Sequence, residues 1–218
     1  MSLQAQLDVF KASWVERVGP DAASLVAADN TSLQPLAACA LGVGAQFPPT
    51  VLTNHKGGKT DIGDLFTQGP LVVIFYRGGW CPYCNLELRA YQQHLPEITA
   101  FGARLVAISP EAPDKSLSTA EKNALSFDVL SDAKGKLAAA LGIRFQLSPA
   151  IRALYEKFGH DLPAHNDDDV WSLPMPSAYV VEKGGRIAHA SVEPDYRIRL
   201  DPQVALHALS VLASARAG

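Results

Sequence analysis

Apolar residues recur three or four apart at the start of the chain, at Leu3, Leu7, Phe10, Trp14 and Val18, until Gly19-Pro20 breaks the spacing. That period predicts an amphipathic helix, and a second helical stretch runs roughly from Asp21 to Cys39. From Gly42 the pattern changes to short apolar runs separated by helical stretches. Lys56-Gly57-Gly58-Lys59 turns between Val51-Leu52-Thr53 and Thr60-Asp61-Ile62 and predicts a hairpin. The run Leu71 to Tyr76 predicts a strand, followed by a helix to about Ala100 and a strand from Arg104 to Ser109.

A helix near Ser118 to Leu125 and a short strand from Phe127 to Leu130 come next; Asp132 then caps a helix that runs to Leu141 and stops at Gly142. Ala178 to Glu182 and Arg186 to Ser191 flank Lys183-Gly184-Gly185 as an antiparallel hairpin, and a helix from Gln203 to Ala215 closes the chain. Alternating strands and helices place helices on both faces of one sheet, and the late hairpin makes that sheet mixed. The expected class is α/β, with residues 1–40 a helical extension and residues 41–218 the main domain. Ile143 to Met175 reads as an insertion with a helix around Pro149 to Phe158.

The 218 residues are 48% hydrophobic, enough for one domain with a substantial core. A net charge of −3 gives no electrostatic case for nucleic acid. Leu36 to Ala45, the longest weakly polar stretch, falls short of the roughly 20 apolar residues of a membrane helix. The N-terminus lacks a basic region followed by an apolar one, so the expectation is a cytoplasmic protein with no membrane partner.

Chemistry concentrates at Trp80-Cys81-Pro82-Tyr83-Cys84, between the Leu71 to Tyr76 strand and the helix that follows. The first turn of a helix has unpaired N–H groups and the positive end of the helix dipole, which stabilise a thiolate. With Cys81 at the N-cap, its sulfur faces the N–H groups of Tyr83 and Cys84, and Pro82 takes the first helical position, where its missing N–H costs nothing. Two cysteines so spaced suit a reversible disulfide. The third cysteine, Cys39, sits in an apolar helical stretch and is expected to be a buried small residue.

Neither a second C-x-x-C nor a His pair completes a zinc site. His160, His165 and the nearby aspartates suit turns and helix caps better than a metal. Gly57-Gly58-Lys59-Thr60 lacks the spacing of a phosphate loop. No cofactor and no metal are expected.

Four segments together resemble the AhpC/TSA branch of the peroxiredoxin superfamily, in its group with a C-x-x-C. They are Val43 to Pro48, Phe75-Tyr76-Arg77-Gly78-Gly79-Trp80-Cys81-Pro82-Tyr83-Cys84, Val106 to Ser109, and Val129 to Asp132. The resemblance implies a thioredoxin-like fold and a thiol peroxidase that reduces hydrogen peroxide or organic hydroperoxides. A thioredoxin- or glutathione-type reductant would recycle it, and a homodimer is left open. By family position Cys84, tenth in the segment from Phe75, is the peroxidatic residue and Cys81 resolves; by helix-cap geometry Cys81 attacks first.

The chain departs from the family where Arg77 replaces a proline and Cys81 replaces a threonine. Pro176 stands where the family carries an arginine, and resembles the cis-proline that faces the thiols in thioredoxins. Arg77 is expected to add positive potential beside the thiolate or to lie solvated at a strand end. Trp80 and Tyr83 are expected to form a lip around the sulfurs. A disulfide oxidoreductase without peroxidase activity is the alternative, favoured by Pro176 and the missing arginine. A binding module assembling through its N-terminal helices is a third reading. For the stretch Asp195-Tyr196-Arg197-Ile198-Arg199 the sequence supplies no mechanism.

Overall fold

The structure, a computed structural model, describes residues 2–217. Two helices, α1 (Leu3–Val18) and α2 (Pro20–Ser32), and a short α3 (Gln34–Ala38) precede the sheet. Gly19 makes the corner with φ of +80°, and Pro20 begins α2. The single expected helix from Asp21 to Cys39 is therefore two, interrupted at Leu33.

A hairpin of β1 (Val51–Asn54) and β2 (Lys59–Asp61) leads through α4 (Ile62–Gln68) to β3 (Leu71–Phe75). The cysteine helix α5 (Pro82–Gln93) is followed by α6 (Leu95–Ala100), with the break at His94 just ahead of Pro96. Then come β4 (Arg104–Ser109), α7 (Pro113–Lys122), β5 (Asp128–Ser131) and α8 (Lys136–Ala140). The helix expected near Ser118 to Leu125 starts five residues earlier, because Pro113 is a first-turn proline, and it ends before Ala124, whose φ is +50°.

The segment expected as an insertion with one helix holds β6 (Arg144–Gln146), α9 (Pro149–Lys157), α10 (Leu162–Asn166) and β7 (Ser172–Pro174). β8 (Ser177–Val181), β9 (Ile187–Val192) and α11 (Pro202–Ala217) complete the chain.

Seven strands form one mixed sheet in the order β2-β1-β5-β4-β3-β8-β9, and β6 pairs with β7 separately. The pairs β3–β4 and β4–β5 are parallel, and the remaining pairs are antiparallel. β3 lies between β4 and β8 and is buried on both faces. Val72 and Ile74 face one core with Leu88, Tyr91 and Leu206; Leu71, Val73 and Phe75 face the other with Phe66, Ile108 and Tyr179. The cysteine loop therefore leaves the end of a strand that is fully buried and paired on both sides.

Leu3 and Leu7 of α1 belong to the first core, so this helix packs on the same face as α5. A third cluster joins Val26 of α2 to Ile151 and Tyr155 of α9, Leu162 of α10 and Trp171. The N-terminal helices and the α9–α10 segment thus meet over the end of the sheet where α5 begins. No described helix is long and apolar enough to cross a membrane.

Candidate functional site

Cys81 takes the N-cap position of α5 and Pro82 its first turn, as the spacing predicts. The expected capping bond from the Cys81 sulfur is not formed in regular geometry. The loop before it is held from below. The Gly79 N–H donates to the Glu111 carboxylate at 2.9 Å, and Asn85 Nδ2 donates to the carbonyls of Gly79 and Cys81 at 2.9 and 3.1 Å. A Cβ on Gly79 would lie 2.1 Å from Thr119 Oγ1, and one on Gly78 would lie 2.2 Å from Trp80 Nε1. Both positions require glycine because neighbouring groups occupy the space.

Both thiols are buried, Cys81 at 2% exposure and Cys84 at 0%, and they are free rather than joined. Cys81 lines a pocket of about 250 Å³, whereas Cys84 does not. Burial by itself raises the Cys81 thiol. That effect is outweighed by the hydrogen-bonding Cys84 thiol, the charges of Arg77 and Arg199 and the Cys84 backbone N–H, which together bring its pKa down to about 6. Burial and the neighbouring Cys81 push Cys84 the other way. The pair thus gives up its first proton at Cys81, near neutral pH.

Cys84 has donors of its own. Its sulfur accepts the Arg77 backbone N–H at 3.4 Å and the Arg199 guanidinium at 3.4 Å. Arg199 Nε also donates to Glu87 at 2.7 Å, and both side chains of this ion pair are 1% exposed. Its Nη1 donates to the backbone carbonyls of Tyr196 and Ile198, so the fork is fully aimed. Glu87, with Cys84 and the other charges around it, holds Arg199 firmly protonated against its own burial.

Here the sequence reading missed the central feature. A guanidinium reaches Cys84 from Arg199, beyond β9, and Glu87 one turn past Cys84 anchors it. The sequence signal was the Asp195 to Arg199 stretch. It ties three parts of the site together: Arg197 pairs with Asp195 at 2.8 Å and lies over the Trp14 ring, Tyr196 faces Arg77, and Arg199 reaches Cys84.

Arg77 is not solvated; it is buried at 3% exposure with its guanidinium 4.0 Å from the Tyr196 ring centroid, 5.1 Å from Trp80 and 5.3 Å from Tyr155. Its Nε has no hydrogen-bond partner, and it forms no ion pair among the described residues. Trp80 lines the pocket, with its indole against Tyr155 and His160. Tyr83 is a buried wall rather than an exposed lip, packed edge-on against Phe10 and Tyr196.

Two further expectations are corrected. Pro176 is trans, since no described peptide bond is cis, and it lines a small void together with Arg77 and Tyr196. Cys39 is exposed at the end of α3, because that helix is only five residues long and its apolar neighbours Leu36 and Ala37 turn inward without it.

The chain's place among known proteins follows this geometry. The sequence model of the AhpC/TSA family matches residues 43–190. The chain belongs to the AhpC/TSA family. Among curated relatives, the chloroplastic peroxiredoxin Q of Populus jackii is 31% identical over 98 residues, which cover 45% of this chain and 46% of that protein. The chloroplastic peroxiredoxin Q of Sedum lineare is 28% identical over 142 residues, 65% of this chain and 64% of that protein. The chain thus spans about half to two thirds of these AhpC/TSA relatives.

Peroxidoxin BcpB from Mycobacterium tuberculosis superposes with a TM-score of 0.62 at 20% identity, covering 79% of this chain and 98% of that one. Peroxiredoxin Q from Xanthomonas campestris gives 0.55 at 20% identity, covering 82% and 96%. The thioredoxin-like fold of the family is the fold of this chain.

Glu111 couples the loop to pH. It is 2% exposed, and burial pushes its carboxyl up to about 7 despite the Gly79 N–H and Thr119 hydroxyl that it accepts. An acid whose pKa is higher folded than unfolded stabilises the fold at low pH, and loses that contribution as pH rises from the unfolded value through the folded one. Between pH 4.5 and 7 the loss is about 3 kcal/mol. Glu111→Gln keeps the acceptor for Gly79 but cannot ionise. Urea midpoints measured from pH 5 to 8 should fall more steeply for the native protein than for Glu111→Gln, in which Glu87, pushed up to about 8 by its burial, still titrates; parallel curves would show that Glu111 does not titrate in this window.

Proposed function

We propose that the chain is a thiol peroxidase in which Cys81 attacks a hydroperoxide and Cys84 resolves the product, with a thioredoxin- or glutathione-type thiol closing the cycle. The observation that carries this reading is the division of labour between the two sulfurs: the one that opens on the pocket is the one whose pKa falls to about 6. The family, whose named relatives are peroxiredoxins, supports the reaction class.

The Cys81 thiolate forms an S–O bond to one peroxide oxygen as the O–O bond breaks, and the departing oxygen takes a proton and leaves as alcohol or water. The Arg77 guanidinium among the pocket's lining residues supplies positive charge suited to the charge that develops on the departing oxygen. Cys81 is then a sulfenic acid and carries no charge. The two influences by which it raised Cys84 are gone, while Arg199 and Arg77 still favour the Cys84 thiolate. Cys84 attacks the Cys81 sulfur, water leaves, and the disulfide forms. The thiols therefore ionise in the order in which they are needed.

The alternative of exchange with protein disulfides is disfavoured by the cover over both sulfurs. Mixing reduced protein with hydrogen peroxide or cumene hydroperoxide in a stopped-flow instrument, with tryptophan emission as the signal, tests the proposal. The expected outcome is oxidation far faster than that of free cysteine, with one peroxide consumed per pair. A rate equal to free cysteine sinks the peroxidase and leaves disulfide exchange.

A further inference from the structure

The pocket over Cys81 has walls from four parts of the chain: Phe10 and Trp14 of α1, Tyr155 of α9, Trp80 and Tyr196. Its charges are one-sided. Arg17 stands at its exposed side and Arg77 at its depth, and no aspartate or glutamate lines it. Asp29 senses Arg77 from the other side, beyond the pocket and without an ion pair. In the reduced protein the Cys81 thiolate offsets the Arg77 charge. In the disulfide that negative charge has vanished, and a buried guanidinium without a carboxylate partner faces the cavity, a costly arrangement that an incoming anion relieves.

We propose that the thiol that recycles the Cys81–Cys84 disulfide is a small molecule bearing a carboxylate, admitted through this pocket and drawn by Arg17 and Arg77. The inference rests on the reading that the pair cycles through a disulfide, and it chooses between the two kinds of reductant named above. Size agrees with charge. Cys81 lies at the floor of a pocket of about 250 Å³ behind α1 and α9, within reach of a small thiol but recessed from a cysteine carried on the surface of a folded protein.

In the first step the incoming thiolate bonds to the Cys81 sulfur, the Cys81–Cys84 bond breaks, and Cys84 leaves as a thiolate beside Arg199 before it takes a proton. A second small thiolate then attacks the outer sulfur of the mixed disulfide, releasing Cys81 as its thiolate. Two small thiols are oxidised to one disulfide by two electrons, and the protein pair is reduced by the same two. The restored Cys81 charge then weakens the hold on the anionic product.

The test starts from protein oxidised with diamide, so that no peroxide reactivity is assumed, and its disulfide is verified by thiol titration. Reduction is followed with 3-mercaptopropionate, 2-mercaptoethanol and cysteamine at matched thiolate concentration, and separately with reduced thioredoxin. The carboxylate thiol should react at least tenfold faster than the uncharged one, with the ammonium thiol slowest, and the spread should shrink in high salt. Arg17→Gln, a change at an exposed side chain, should narrow the spread. A flat or reversed ranking, or thioredoxin outpacing 3-mercaptopropionate at equal concentration, overturns the inference. A protein that ranks the thiols as expected yet ignores hydroperoxides overturns the peroxidase reading alone.

Discussion

Cys81→Ser should lower peroxide consumption by at least about 1000-fold, because it removes the thiolate that the pocket exposes. Cys84→Ser should behave differently. Its Cys81 should still react with one equivalent of peroxide, but the sulfenic acid should persist, trapped by dimedone, and proceed to sulfinic acid under excess peroxide. Steady-state turnover should be lost in both variants, and single-turnover kinetics separate them. Cys39→Ser should leave the cycle intact, since Cys39 is exposed on α3, away from the pocket residues. A single-turnover burst that survives in Cys81→Ser and disappears in Cys84→Ser would reverse the roles and return the attack to the family position.

Arg199→Met is expected to have the second largest effect, through two separable routes. It leaves Glu87, whose carboxyl burial already pushes up to about 8, without its partner, and breaking a buried pair by removing one partner costs up to about 3–5 kcal/mol. It also strips the Cys84 sulfur of its guanidinium donor, so the resolving step should slow while the initial attack by Cys81 changes less. Replacing both members of the pair distinguishes the routes. The double variant Arg199→Met with Glu87→Leu should recover most of the stability, since an apolar pair is well tolerated where an ion pair was, but disulfide formation should stay slow. Urea midpoints report the first effect, and the lifetime of the dimedone-reactive state reports the second. If disulfide formation in the double variant returns to the native rate, Arg199 serves the fold alone.

The local parts of this site were legible in the chain. The apolar run from Leu71, the Cys81-Pro82 helix start and the glycines before them are short-range signals, and the structure places Cys81 at the N-cap as the spacing requires. Boundaries were lost where prolines open a helix, at Pro113 in α7 and Pro96 in α6: the first start lies upstream of the expected one, and the second divides what the apolar spacing joins into one helix to about Ala100. Strands of three residues, such as β6 and β7, are too short for a period to show.

The charges of the site were not legible, because they depend on contacts between distant segments. Glu87 and Arg199 are 112 residues apart in sequence. Glu87 taken alone is a polar residue in a helix, and only the return of the chain after β9 makes it a buried partner. Arg77 at a strand end could equally have met water. Its aromatic surroundings come from α9 and from Tyr196, far along the chain.

The late arrival of Arg199 has a consequence for the protein's own synthesis. A chain grows from its N-terminus, so Cys81 and Cys84 leave the ribosome more than a hundred residues before the arginine that serves Cys84. Through that interval the thiols lack Arg199 and, until α9 and Tyr196 are made, two walls of the pocket. On the reading proposed above, the charge that Arg199 lends to both thiols is added only after the last strand of the sheet has been made.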